Sequence, residues 1–203
     1  MDLAAETLAL RARYDEEPSH SDQVTKLALL LFDGLRGWHG FDARARELMH
    51  AAALLHDIGW SQVADGRGHH KWSARLIRDH GWKNLARGEV EIVAQTARYH
   101  RKSPPRDDHA EFEALSSDDR RRVLVLGGIL RLADALDRTH TQRVRGVETV
   151  VTPEKIIVRA AVGGPWEEEA AMFAAKKDML ERAAERPVVC EELPQKPTAP
   201  PRR

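Results

Sequence analysis

The sequence predicts a mainly α-helical bundle carrying a small C-terminal α+β appendage of ββαβ order. Two observations predict it. From about residue 20 to 145, apolar residues recur at helical spacing in five successive segments separated by glycines and one Pro-rich loop. Beyond residue 145 the period changes to the β-branched runs 147–151 and 156–162, set around Thr152-Pro153-Glu154-Lys155, the composition of a hairpin turn. The 203 residues suit one domain, or one domain with an appendage, and 42% hydrophobic content is enough for a core, which excludes wholesale disorder.

The elements follow in order. A first helix, 20–37, carries Val24, Leu27, Leu31 and Leu35 on one stripe, with Gly37 as its stop. Asp42 caps a second, with Leu48, Ala52 and Leu55 inward and Gly59 at its end. Gly68 precedes a third, carrying Leu76 and Ile77 and stopped by Gly81. A fourth runs from Glu89 to about Tyr99 with Val93 and Ala97 inward. Residues 103–108 read as a loop. Ser117 or Asp118 caps a fifth helix, which runs through Val123, Leu126, Leu130 and Ala133 to about Asp137. After the hairpin, Pro165 opens a last helix with Trp166, Ala170, Phe173 and Leu180 inward, and Pro187-Val188-Val189-Cys190 reads as a short third strand. The expected organisation is a lead-in over 1–17, a helical domain over 18–145, the appendage over 146–192, and a disordered tail over 193–203, where four prolines fall.

Charge and cysteine content narrow the function. Lys+Arg and Asp+Glu both number 32, so the net charge is zero and no global field gathers nucleic acid or an anionic membrane; neither is expected as a partner. No apolar run approaches the ~20 residues that span a bilayer, and the first residues lack the basic flank and apolar stretch of a signal peptide, so a cytoplasmic location is expected. A single cysteine, Cys190, excludes an internal disulfide and a cysteine-rich metal site, and reads as a buried strand residue. Ten histidines against that one cysteine stand out.

Helix phase places several of them inside. His20 precedes Val24, Leu27 and Leu31 by 4, 7 and 11, and His56 follows Leu48 and Ala52 by 8 and 4 with Asp57 next to it. His69 leads Ser73 and Leu76 by 4 and 7, His100 follows Val93 and Ala97 by 7 and 3, and Asp134 follows Val123, Gly127 and Leu130 by 11, 7 and 4. Five helices thus aim imidazole or carboxylate inward. A lone inward histidine is most often a hydrogen-bonded core residue, and Asp134 alone could pair with Arg138 or Arg131. The conjunction points instead to a shared metal site, because buried carboxylates must be paired or bind a metal. Imidazole and carboxylate suit Mn, Fe, Ni, Co or Zn. Asp57, expected beside His56 at a helix centre, is the natural bridge between two ions.

These residues carry a resemblance. Leu54-Leu55-His56-Asp57-Ile58-Gly59, with His20 upstream and Asp134 downstream, resembles the HD superfamily of metal-dependent phosphohydrolases. The runs His20-Ser21-Asp22-Gln23-Val24, HHKWSARLIRDH from His69, Ala97-Arg98-Tyr99-His100-Arg101-Lys102, and Arg131 to Arg138 resemble the C-terminal HD-type domain of the exopolyphosphatase/guanosine-pentaphosphate phosphatase (Ppx/GppA) family, from about Pro18 to about Glu185. The resemblance implies an HD-domain helical bundle, read as free-standing because no actin-like ATPase-fold region or glycine-rich phosphate loop is seen. It implies that His20, His56, Asp57 and Asp134 hold one divalent ion, and that His69 and His100 add a second with Asp57 bridging. His69 is preferred to His70 because the superfamily ligand lies four residues before a small residue, here Ser73. The lysine that often follows the His-Asp-Ile-Gly run is replaced by Trp60, and the GYP signature is absent, which departs from the cyclic-dinucleotide branch.

The implied chemistry is hydrolysis of a small phosphorylated substrate, an ester or anhydride with nucleotides and alarmones as candidates, by a metal-activated hydroxide between two ions. Mn, Fe, Co or Ni are expected ahead of Zn, with Mg admissible. His56 and Asp57 are the expected catalytic core, and Lys71 and Arg101 the expected phosphate-binding cations, ahead of Lys102, Arg75 and Arg138; solvated helix faces are the alternative. Trp38, Trp60, Trp72 and Tyr99 read as core, with base stacking as the alternative. A non-catalytic module binding a separate Ppx/GppA-like phosphatase subunit is the competing function, and the appendage is a candidate homodimer contact.

Overall fold

The computed structural model describes residues 2–106 and 108–194. It is mainly helical, with a small sheet near the C-terminus. The first element, α1 (Leu3–Tyr14), lies in the stretch expected as a lead-in. Asp2 caps it by accepting a hydrogen bond from Ala5 N at 2.9 Å. Its inward face mixes Leu3 and Leu10 with Glu6, Thr7 and Arg11, so its apolar stripe is thin. Polar partners complete the packing: Glu6 accepts from Lys83 N (2.8 Å) and Asn84 N (3.1 Å), and Arg11 meets Asp15 and Asp22 at 2.7 and 2.6 Å.

The next helix, α2 (Pro18–Gly34), starts on a proline whose missing N–H costs nothing at a helix N-terminus. It buries Val24, Leu27, Ala28, Leu31 and Phe32, and a short α3 (Arg36–His39) follows before Gly40 turns the chain at φ +70°. Asp42 caps α4 (Ala43–Leu54), as the sequence predicts, but α4 stops before His56. A 3-10 turn over Ile58–Gln62 succeeds it. Gly59 explains the geometry. A Cβ there would sit 2.1 Å from the carbonyl of His69, and Gly59 N donates to Ser73 Oγ at 2.9 Å, so only glycine lets this turn lie against α5 (His69–Asp79).

Helices α6 (Arg87–Arg98), α7 (Ala110–Glu113) and α8 (Ser117–Ala135) complete the bundle. The cap of α8 is Ser116, one residue before the expected position, accepting from Asp119 N at 3.1 Å. From Val123 onward this helix is buried nearly all round, as a central helix must be, and it packs on α2 and α6.

In the appendage β1 (Val144–Val151) pairs antiparallel with β2 (Ile156–Val162), and β3 (Val188–Glu192) joins β2 in parallel, Ile156 opposite Val188. A parallel partner requires a crossover. Two helices supply it, α9 (Glu167–Lys176) and α10 (Asp178–Ala184), where the sequence predicts one. The order is therefore ββααβ. Phe173 and Leu180 are buried as expected, whereas Trp166 and Ala170 are half-buried. A Cβ on Gly128 would lie 2.9 Å from the backbone of Leu180, so glycine is what seats α10 against α8. The sheet leans on α2. Of the expected tail, residues 195–203 lie outside the described residues. Among the described residues no helix is long and apolar enough to cross a membrane.

Candidate metal centre

All six histidine and aspartate residues singled out in the sequence meet at one place, near helix ends rather than helix middles. His20 sits in the first turn of α2, His69 opens α5, and Asp134 lies in the last turn of α8. His56 and Asp57 occupy the turn after α4, not a helix centre, and His100 follows the end of α6. Helix ends leave backbone groups unpaired, and the cluster uses them. His56 Nδ1 donates to Ala53 O (2.7 Å), His100 Nδ1 to Ala97 O (2.6 Å), and His69 Nδ1 to Gly66 O (2.8 Å). His20 Nδ1 lies 2.8 Å from Asp137 Oδ2.

With every Nδ1 engaged by an acceptor, every Nε2 is left to face inward. His69 Nε2 and His100 Nε2 each stand 3.3 Å from Asp57 Oδ1. His56 Nε2 lies 3.5 Å from Asp57 Oδ2, and His20 Nε2 3.5 Å from Asp134 Oδ1. Two groups result, His20–His56–Asp134 and Asp57–His69–His100; within each, the candidate ligand atoms lie within 4.8 Å of one another. The four imidazoles are at most 3% exposed. Even so, His20 Nε2, His56 Nε2 and Asp57 Oδ1 are buried with no hydrogen-bond partner. Orphaned buried acceptors converging on one point are costly unless a cation fills the gap. The donor set, imidazole nitrogen and carboxylate oxygen, fits a divalent transition metal.

Electrostatics agree. Burial pushes the His56 imidazole down to about 4. Burial also pulls on His20, but the nearby carboxylates of Asp134, Asp137 and Asp57 prevail and raise it to about 10. Asp57 and Asp134 resist the upward push of burial and stay well below the usual carboxylate range, Asp57 through His56 and His100, Asp134 through Lys176 and His20. The cluster is thus organised around compact positive charge.

Around it lies a cavity of about 480 Å³, which also reaches Arg101, Arg138 and Lys176. Lys176, at the end of α9, pairs with Asp134 Oδ2 and lies 3.5 Å from His100 O. The partner of Asp134 is therefore neither Arg138 nor Arg131; Arg131 is drawn off to Asp178 (3.0 Å) and Lys102 O (2.7 Å). Trp60 lies flat on His69, ring centroids 4.5 Å apart, and His140 stacks on His20 at 3.8 Å. It is His69, not His70, that faces Asp57. Lys71 departs from its expected place: it lines an adjoining cavity together with His70 and Lys102, and Arg101 borders both cavities. Trp38 and Trp72 are half-buried and line neither, and the Tyr99 hydroxyl is engaged by His109 at 2.6 Å. Cys190 is half-buried in β3, where burial pushes its thiol up to about 12.

Sequence reasoning missed three parts of the site: Lys176, Asp137 and His140. Asp137 carried a signal, since it follows Asp134 by three and so shares its helix face. Lys176 carried none, because the chain brings it from the appendage.

Comparison with known proteins adds a family. The model of domain III of the Ppx/GppA phosphatases matches residues 4–178. The guanosine-5'-triphosphate,3'-diphosphate pyrophosphatase of Photobacterium profundum is 30% identical over 145 residues, covering 70% of this chain and 28% of that protein. The chain therefore spans less than a third of the length of this relative.

Proposed function

Because the chain belongs to the Ppx/GppA phosphatase family, as a counterpart of its domain III, we propose that it is a metal-dependent phosphohydrolase of the HD type. The substrate is a small phosphate ester or anhydride, a nucleotide or alarmone. The observation that carries this reading is the convergence of four imidazoles and two aspartates from five helix ends, with His20 Nε2, His56 Nε2 and Asp57 Oδ1 buried and unpartnered among them. A structural core has no use for such groups.

In this reading His20, His56 and Asp134 hold one divalent ion and Asp57, His69 and His100 a second, the other oxygen of Asp57 facing the first group. When bound, such ions acidify a water for in-line attack on phosphorus and offset the charge of the phosphoryl oxygens. The protein's own groups do the rest. The Nδ1 hydrogen bonds hold each imidazole in the tautomer that leaves Nε2 free. Arg101 and Arg138 offer forked N–H donors to phosphate oxygens from the wall of the same cavity, and Lys176 adds a point charge beside Asp134. Trp60 shields His69 from water. Mn, Fe, Co and Ni are the favoured ions, with Zn and Mg behind.

The test is a phosphatase screen over nucleotides, guanosine tetra- and pentaphosphate and polyphosphate, with each metal in turn. Metal-dependent phosphate release, abolished by chelator and by Asp57→Asn, is expected. Full metal loading with no turnover on any of these would favour a second reading, a regulatory module for a separate phosphatase subunit. One observation supports that alternative: the Photobacterium relative is more than three times as long as its matched part.

A further inference from the structure

The cavity over the histidine–aspartate cluster is walled by two kinds of polar group. Arg101, Arg138 and Lys176 suit phosphate oxygens, which accept hydrogen bonds. The turn between α1 and α2 brings Asp15, Glu16 and Glu17 to the same cavity, and an ionised carboxylate accepts only. A phosphate gains nothing from such groups, so they fit another part of a substrate. Asp15 is taken up by Arg11 and Glu17 by His140, each at 2.7 Å. Glu16 is exposed, and its side chain forms no ion pair or hydrogen bond among the described residues.

His140 is the other free group in this wall. Its Nδ1 meets Glu17 Oε1, which leaves Nε2 with no hydrogen-bond partner among the described residues. The ring lies parallel to that of His20, with centroids 3.8 Å apart and planes 5° from each other. The backbone that presents it is left-handed at φ +56°, and Gln142 is left-handed at φ +55°, a costly conformation for residues other than glycine. Such a loop persists only where its surroundings over-determine it. Here Gln142 N donates to Asp137 Oδ1 at 2.9 Å, and the backbone and hydroxyl of Thr139 both donate to Glu169, a carboxylate from α9 that is 1% exposed. His140 belongs to neither group of candidate metal ligands. A strained, pinned imidazole in the cavity wall, with a ring nitrogen free and outside both groups, is placed for a ligand.

We propose that His140 and Glu16 bind the hydroxyl-bearing part of the substrate, the ribose of a ribonucleotide, and thereby set its specificity. A hydroxyl donates to a carboxylate and pairs with an imidazole nitrogen in either sense, so two neighbouring hydroxyls offer one to each residue. The inference rests on the phosphohydrolase reading for where the phosphate lies, but ribose recognition is measurable by binding alone. It implies that phosphates without hydroxyls are poor ligands.

The test measures binding of adenosine 5'-monophosphate and its 2',3'-dideoxy counterpart to the Mn²⁺-loaded chain by calorimetry. Wild type should bind the ribonucleotide about ten-fold more tightly, the difference expected for hydrogen bonds to one charged and one neutral group. Both residues are exposed, and His140→Phe keeps a ring over His20. His140→Phe and Glu16→Ala should each cut the ratio about three-fold, and the double variant should bring it to about one. The two nucleotides carry the same phosphate and base, so the ratio cancels any loss of ions that a variant causes. Equal binding of the two by wild type, binding of neither, or an unchanged ratio in the double variant overturns the proposal. Discrimination as expected, without hydrolysis of any nucleotide, would sink the phosphohydrolase reading and leave the ribose contact standing.

Discussion

Asp137 Oδ2 lies 2.8 Å from His20 Nδ1, and both side chains are at most 3% exposed. The same carboxylate accepts from Gln142 N through its other oxygen, so it is held from two sides. A carboxylate behind a ligating imidazole fixes the ring and raises its basicity. Asp137→Asn should therefore weaken metal binding by about 10–100-fold while leaving the helical content unchanged. Titration of the chelated protein with Mn²⁺ or Co²⁺ measures this; unchanged affinity would mean that His20 is no ligand.

Lys176 couples the appendage to the site. It reaches back from α9 to Asp134 at the end of α8, and both side chains are largely buried. Removing one partner of such a pair leaves the other charge uncompensated. Lys176→Met should destabilise the chelated protein by roughly 1–3 kcal/mol. A bound cation beside Asp134 should restore most of the loss. The gap in melting temperature between metal-loaded and chelated protein should thus widen relative to wild type. A constant gap would place Lys176 outside the metal centre's electrostatics.

Gly59 holds two halves of the cluster in register. Alanine there would drive a Cβ into the carbonyl of His69 and the backbone nitrogen of Ser73. Gly59→Ala should cost about 1–3 kcal/mol in chelated protein, the usual penalty of overpacking. It should also weaken metal binding, because His56 and Asp57 precede the turn and His69 follows it. Ser73→Ala, which removes only the hydroxyl that accepts from Gly59 N, should do the same more mildly. Thermal melts and metal titrations of the two variants check this, and a Gly59→Ala protein with wild-type metal affinity would contradict it.

The pH dependence of stability has an origin outside the cluster. Glu6 is buried in α1 and lies below its ordinary value of 4.5, because hydrogen bonds from Lys83 N and from the backbone and side chain of Asn84 outweigh the upward push of burial. A carboxylate depressed in the folded state contributes stability above its unfolded value, and that contribution is lost as pH falls through the folded value. Glu6→Gln should lower the melting temperature at pH 7 and flatten its decline below about pH 4.5. Parallel acid limbs for mutant and wild type would show that Glu6 does not tie α1 to the bundle.

What was legible in the sequence follows from periodicity. The stripes carrying Val24, Leu27 and Leu31, or Val123, Leu126 and Leu130, bury as their spacing implies. Polar residues in phase with such stripes had to face inward, which is why His20, His56, His69, His100 and Asp134 were readable, with Asp57 following from its place beside His56. Element ends were less so. His56 and Asp57 keep the phase of α4 but lie past its end, because Gly59 is needed against α5, a contact between segments. Helix α1 was missed because three of its five buried residues are polar and are satisfied by distant partners. Lys71 was expected at the cluster from proximity in sequence alone, but its side chain borders the next cavity. Lys176 could not be seen, since only the crossover between β2 and β3 brings it near Asp134.

Metal stoichiometry tests the proposed centre most directly. Purified chain, stripped with chelator, reloaded with Mn²⁺, Co²⁺ or Zn²⁺ and desalted, should hold two ions per chain by elemental analysis, one for each His–Asp group. Asp57→Asn should keep its fold by circular dichroism and lose the ion held by Asp57, His69 and His100. Two ions in wild type and fewer in Asp57→Asn is the expected result. A folded wild-type chain that retains none of these metals would contradict it.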